Sequence, residues 1–119
     1  HFLNSHSKII KIHYPGIDSK YKDIASHQMD GFGGMMSIVI DTDLSGINKF
    51  LKNLSLFTLA ESLGGVESLI EHPAIMTHAS IDKDVRESLG ITDNLLRLSI
   101  GIEDVDDLIA DLEQALQQI

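Results

Sequence analysis

The chain has 119 residues, enough for one domain with a modest core, and its 18 acids against 9 bases leave a formal net charge of −9. That balance argues against a nucleic-acid backbone or an anionic membrane as partner, because either needs a basic face. The absence of cysteine excludes disulfides, zinc-thiolate sites and cysteine catalysis, and it fits a cytoplasmic location.

Residues 8–14, "KIIKIHY", are β-branched and run into Pro15-Gly16, so they predict a strand closed by a turn. Residues 19–29 predict a short helix that Ser19 can cap, with Tyr21, Ile24, Ala25 and Gln28 at helical spacing. "GFGG" at 31–34 breaks it; the block lacks the third glycine of a dinucleotide fingerprint and the Lys-Ser/Thr of a phosphate loop, and it reads as a turn. Residues 35–41 predict a strand. Residues 43–54 predict an amphipathic helix with Leu44, Ile47, Leu51 and Leu54 on one side. A short strand is expected over 56–59, then an irregular, glycine-bent stretch to Ser80. A helical turn or two over 82–89 stops at Gly90, and a strand follows over 95–101. The last helix, 104–119, carries a stripe of Val105, Leu108, Ile109, Leu112, Leu116 and Ile119. Glu103, Asp104, Asp106 and Asp107 suit the positive end of its dipole, and the acids further along it read as a solvated face.

Short strands alternating with helices, without a repeat or a low-complexity linker, predict one small α+β domain over 1–119, with helices packed on one face of an antiparallel or mixed sheet. No apolar run approaches the roughly 20 residues that span a bilayer. No secretory signal is visible. The chain starts at His1 rather than Met, so a segment of a longer protein is expected.

Two places carry candidate chemistry. In "LLRLSIG", 95–101, period-two alternation puts Leu96, Leu98 and Ile100 on the core face and Leu95, Arg97 and Ser99 on the other. Arg97 is then either a solvent-facing strand arginine or an arginine in a cleft, whose planar fork binds a carboxylate bidentately; the pattern leaves both open. Glu61 and Ser62 precede Gly64-Gly65. They are either a polar loop or the rim of a pocket, with the glycines letting the backbone bend toward a ligand. The histidines, His1, His6, His13, His27, His72 and His78, form no pair at helical ligand spacing, so no metal site is expected. No Ser-His-Asp arrangement is indicated.

The blocks "FTLAESLGGVESLIEHPAIMTHAS" (57–80) and "LGITDNLLRLSIGIEDVDDLIADLEQAL" (89–116), with "KIHYPG" (11–16) and "QMDGFGGMMS" (28–37), resemble the C-terminal domain of the pyridoxal-phosphate enzymes of Cys/Met trans-sulfuration. The resemblance covers nearly the whole chain. It implies the small C-terminal domain of the type I aminotransferase fold. The "AESLGG" form is most similar to cystathionine γ-lyases and γ-synthases; β-lyases usually have an aromatic residue where Glu61 stands, and methionine γ-lyases an apolar one.

The resemblance implies that Arg97 clamps the α-carboxylate of the amino-acid substrate, that Ser62 lies beside it and orients it, that Glu61 lines the distal pocket, and that Thr77 is near the substrate end. Pyridoxal 5'-phosphate supplies the electron sink in the family, and a well-fixed substrate lets the breaking bond align with it. The substrate would be cystathionine, a homoserine ester or cysteine, and the full enzyme a homo-oligomer, a dimer of dimers. None of Lys8, Lys11, Lys20, Lys22, Lys49, Lys52 and Lys83 has the family's cofactor-lysine context, and the phosphate loop is missing. The chain alone is therefore expected to hold no catalytic residue, to bind no cofactor covalently and to be inactive, the large cofactor domain lying outside it. The alternatives are a cystathionine β-lyase or methionine γ-lyase type, or a free-standing non-catalytic module that binds an amino acid or mediates assembly.

Overall fold

The computed structural model describes residues 1–17 and 20–119. A short helix α1 (Phe2–Ser5) leads into β1 (Ile9–His13), α2 (Lys22–Gln28), β2 (Met35–Ile40) and α3 (Leu44–Asn53). After these come β3 (Thr58–Leu59), β4 (Leu69–Glu71), α4 (Lys83–Ser88), β5 (Leu95–Ser99) and α5 (Val105–Leu116). The five strands make one sheet in the order β1-β2-β5-β4-β3. Pairing is antiparallel except between β3 and β4, which run parallel, so the sheet is mixed. The α+β class expected from the alternation of strands and helices holds.

One sheet face is closed by helices. Ile38, Ile40, Ile70, Leu96 and Leu98 meet Leu3 of α1, Ile47 and Phe50 of α3, and Leu108, Leu112, Ala115 and Leu116 of α5 in a single apolar cluster. Burial of this surface is the main force holding the layers together. The stripe on α3 differs from the expected one: Leu44 is exposed, and Phe50 takes its place beside Ile47, Leu51 and Leu54. Asp43 caps this helix by accepting from the Gly46 amide at 2.9 Å. In β1 the register shifts between Ile9 and Lys11, a bulge that lets Ile9 and Ile12, three positions apart, both pack on the core.

The 31–34 block is the expected turn, with Gly33 at φ +72°, and its last carbonyl accepts from the Ile100 amide at 2.8 Å. Helix α2 begins at Lys22 behind Tyr21, which makes no side-chain cap; Ser19, the expected cap, lies outside the described residues. Two elements were not foreseen, α1 and β4. Strand β4 is three residues long and buried throughout, so it shows neither the length nor the alternation by which a strand is read.

The face opposite the helices is also covered, by irregular chain. Segments 60–66 and 73–81 bond to Ser99, Arg97 and Glu71 on it, and Leu69, Leu95 and Ser99 on this face are buried. Gly64, at φ +75°, turns the first segment back so that its amide donates to Ser99 Oγ at 2.8 Å. At the end of β5, the Glu103 carboxylate accepts from the Ser68 amide and hydroxyl, both at 2.7 Å, and Ser68 Oγ accepts from the Gly101 amide. These bonds hold the Glu103 carboxyl below its usual range. Glu103 therefore ties strand ends together, while Asp104 caps α5 by accepting from the Asp106 amide at 2.8 Å.

Candidate functional site

Strand pairing sets the site's frame. Arg97 on β5 stands between Ser37 of β2 and Glu71 of β4, all on the sheet face away from the helices. Cross-strand partners of this kind sit close enough for their side chains to interact directly. Arg97 Nη1 donates to Glu71 Oε2 at 2.6 Å, and the two side chains are 23% and 2% exposed. Arg97 is thus half-buried and ion-paired on this face. Its Nη2 donates to the backbone carbonyls of Glu61 at 2.8 Å and Ser62 at 3.1 Å. Its Nε–H is buried without an acceptor among the described residues. An unmet buried donor is costly, about 1–3 kcal/mol, so it calls for a partner from outside the described residues.

The structure thus brings together all four residues singled out in the sequence, though not with the contacts their side chains alone would predict. Glu61 and Ser62 contribute carbonyl oxygens to Arg97, and both residues are exposed. Thr77 touches the site through Glu71: its hydroxyl donates to Glu71 Oε1 at 2.5 Å and lies 2.7 Å from His78 Nδ1. Glu71 itself was missed. Nothing in its spacing marks it, because the strand that aims it at Arg97 is too short to be read. A buried charge of this kind persists only when paired and bonded, and removing one partner of such a pair costs roughly 3–5 kcal/mol.

A second ionic group is built around Asp93. Arg86 Nη2 and Lys83 Nζ each donate to its carboxylate at 2.6 Å, and Arg86 Nη1 donates to the Ile91 carbonyl at 2.6 Å. Bonding to Lys83 first, and to Arg86 next, holds the Asp93 carboxyl below its usual range. The neighbouring His72 is fully buried, with Nε2 2.8 Å from the Asp93 carbonyl, and burial lowers its pKa. Arg86 is therefore accounted for as a structural cation. Among the described residues no cluster of His, Cys, Asp or Glu could hold a metal ion. Two apolar concavities lie elsewhere. A groove of about 450 Å³ runs along Phe2, Ile12, Tyr14, Met36 and Leu108, and it does not reach Arg97.

A model of the Cys/Met metabolism PLP-dependent enzyme family matches residues 1–117. The chain belongs to that family. It is 52% identical over 118 residues to a cystathionine β-lyase of Lactococcus lactis subsp. cremoris, covering 98% of this chain and 31% of the relative. It is 53% identical over 117 residues to a cystathionine γ-lyase of Bos taurus, covering 98% of this chain and 29% of that one. The solved structure of a cystathionine γ-synthase from Xanthomonas oryzae pv. oryzae in complex with aminoacrylate and cysteine superposes with a TM-score of 0.90 at 45% identity, over 98% of this chain and 30% of that one. A cystathionine γ-lyase from Lactobacillus plantarum complexed with L-serine gives 0.89 at 46% identity, over 99% and 31%. This family member therefore spans about 30% of the length of the relatives it matches, and its fold is that of a domain within PLP-dependent enzymes. β-Lyases and γ-lyases match it almost equally, at 52% and 53% identity. No helix among the described residues is long and apolar enough to cross a membrane.

Proposed function

We propose that this chain is the C-terminal, substrate-carboxylate domain of a pyridoxal-phosphate enzyme that cleaves or forms cystathionine by γ-elimination or γ-replacement. The observation that carries this is the Arg97 guanidinium, fixed by Glu71 and two carbonyls, with a buried Nε–H left over. A planar cation held in this way orients an α-carboxylate, and with it the whole amino acid, better than a mobile ammonium does. Glu61 and Ser62 form the rim over Arg97, and Glu61, being exposed, is the group able to meet the far end of a longer amino acid. The amino acids named with the related γ-synthase and γ-lyase, cysteine and L-serine, carry the same carboxylate.

Six of the chain's lysines are either tied to other groups or exposed away from Arg97. Lys8 is bound to the carbonyls of Leu116 and Ile119, Lys83 to Asp93 and Glu87, and Lys11, Lys22, Lys49 and Lys52 are exposed on β1, α2 and α3. In this proposal the cofactor lysine and phosphate loop come from a larger domain outside the chain, in a cytoplasmic homo-oligomer.

The test is substitution of Arg97 in the full-length protein. Arg97→Lys keeps Glu71 charge-paired but loses the fork, and Arg97→Ala removes both. Each should raise KM for the amino-acid substrate about tenfold or more, with Ala the worse. Values within threefold of the parent for both would refute the carboxylate role. The similarity to β-lyases supports a second reading, β-elimination. Product analysis with cystathionine separates the two: 2-oxobutyrate and cysteine mark γ-cleavage, pyruvate and homocysteine mark β-cleavage. A parallel assay with a homoserine ester and cysteine detects synthesis.

A further inference from the structure

We infer that Glu71 is a positioning residue of the carboxylate site, a buried counter-ion that sets the plane of the Arg97 guanidinium and links Thr77 to it. This rests on the proposed role of Arg97. Each oxygen of the Glu71 carboxylate has a separate task. Oε2 accepts from Arg97 Nη1 at 2.6 Å, and Oε1 accepts from the Thr77 hydroxyl at 2.5 Å. The Glu71 side chain is 2% exposed, so these two bonds account for its carboxylate in place of water. Direct pairing of Glu71 with Arg97 across β4 and β5 holds Nη1, while the Glu61 and Ser62 carbonyls hold Nη2. The guanidinium is then held at both terminal nitrogens, and its buried Nε–H has no acceptor among the described residues.

Two consequences follow. The net charge of Arg97 and Glu71 together is zero, so an incoming carboxylate is recognised through the direction of the N–H bonds more than through bulk attraction. Thr77 acts at one remove: its hydroxyl holds Glu71, and Glu71 holds Arg97. Glu71 needs no contact with substrate.

The experiment uses steady-state kinetics of the full-length holoenzyme on the amino-acid substrate. Glu71→Ala should raise KM about tenfold, while kcat changes less than about threefold. Glu71→Gln keeps an oxygen for Arg97 and an amide that Thr77 can meet, so it should recover most of that loss, to within about threefold of the parent KM. Thr77→Val, which keeps the shape and removes the hydroxyl, should raise KM by about threefold to tenfold without lowering kcat comparably; it carries the test if Glu71→Ala does not fold. In an Arg97→Lys background, Thr77→Val should add less than about twofold, because residues acting as a unit are non-additive. A parent-like KM in Glu71→Ala, or in Thr77→Val if the alanine variant fails to fold, overturns the inference. So does a Gln variant as impaired as the Ala variant, or full additivity with Arg97→Lys. If Arg97→Lys itself leaves KM unchanged, the carboxylate assignment fails first; if it raises KM and the Glu71 and Thr77 variants do not, only the positioning role is lost.

Discussion

His72 is a buried imidazole whose Nδ1 has no partner among the described residues, and burial lowers its pKa from the ordinary value of 6.5. The folded state therefore resists protonation more than the unfolded chain does. The contribution of neutral His72 to stability is complete above pH 6.5 and declines as pH falls toward its lowered folded pKa. The carboxyls of Asp93 and Glu103, held below their ordinary 3.8 and 4.5, lose their contribution only in more acid solution. The urea midpoint should fall between about pH 7.5 and pH 5.5, and His72→Gln should flatten that fall. An equally steep fall in the variant would remove His72 as the cause. Neither the burial of His72 nor the pairing of Glu71 was legible in the sequence, because both sit on or beside β4. Arg97 was legible as a residue on the non-core face of β5, yet the pattern could not tell solvent from a covered face. The cover comes from 60–66 and 73–81, which have no periodicity to read.

At the scale of elements, hydrophobic periodicity located β1, β2, β5, α3 and α5 to within a few residues, because each buries one stripe or face for at least five residues. The acidic face of α5 departs from expectation at Asp111, which is buried. Its carboxylate accepts from the amides of Ser55, Leu56 and Phe57 at 2.8, 2.9 and 3.2 Å, and so fastens the connection between α3 and β3 to α5. The acid is invisible in sequence because its partners are backbone groups more than fifty residues away. Asp111→Ala leaves those amides without their acceptor and should destabilise the fold by about 2–4 kcal/mol. The local readout is hydrogen exchange at Ser55, Leu56 and Phe57, which should accelerate at least about tenfold; unchanged exchange would mean that the connection is held by packing. Lys8 makes a comparable long-range tie, donating to the Leu116 carbonyl at 2.8 Å at the C-terminal end of α5.

At the scale of the whole molecule, α1, α3 and α5 occupy one sheet face and the candidate site the other, so variation at the site leaves the main core alone. Exposed Ile17, Tyr21, Ile24 and Met29 adjoin two concavities that share Tyr14. Apolar surface of this kind on a small domain promotes association. Residues 1–119 prepared alone should therefore dimerise or aggregate as concentration rises. Light scattering that reports a monomer over a hundredfold concentration range would contradict this. The strand order has a consequence in time. β5, the last strand to be made, occupies the middle of the sheet, with β1 and β2 on one side and β4 and β3 on the other. A chain emerging from the ribosome can form the β1-β2 pair and the β3-β4 pair, but these two pieces share no edge until residues 95–99 arrive. The strand that joins them is also the one that carries Arg97, so assembly of the sheet and of the candidate site should be a single late event.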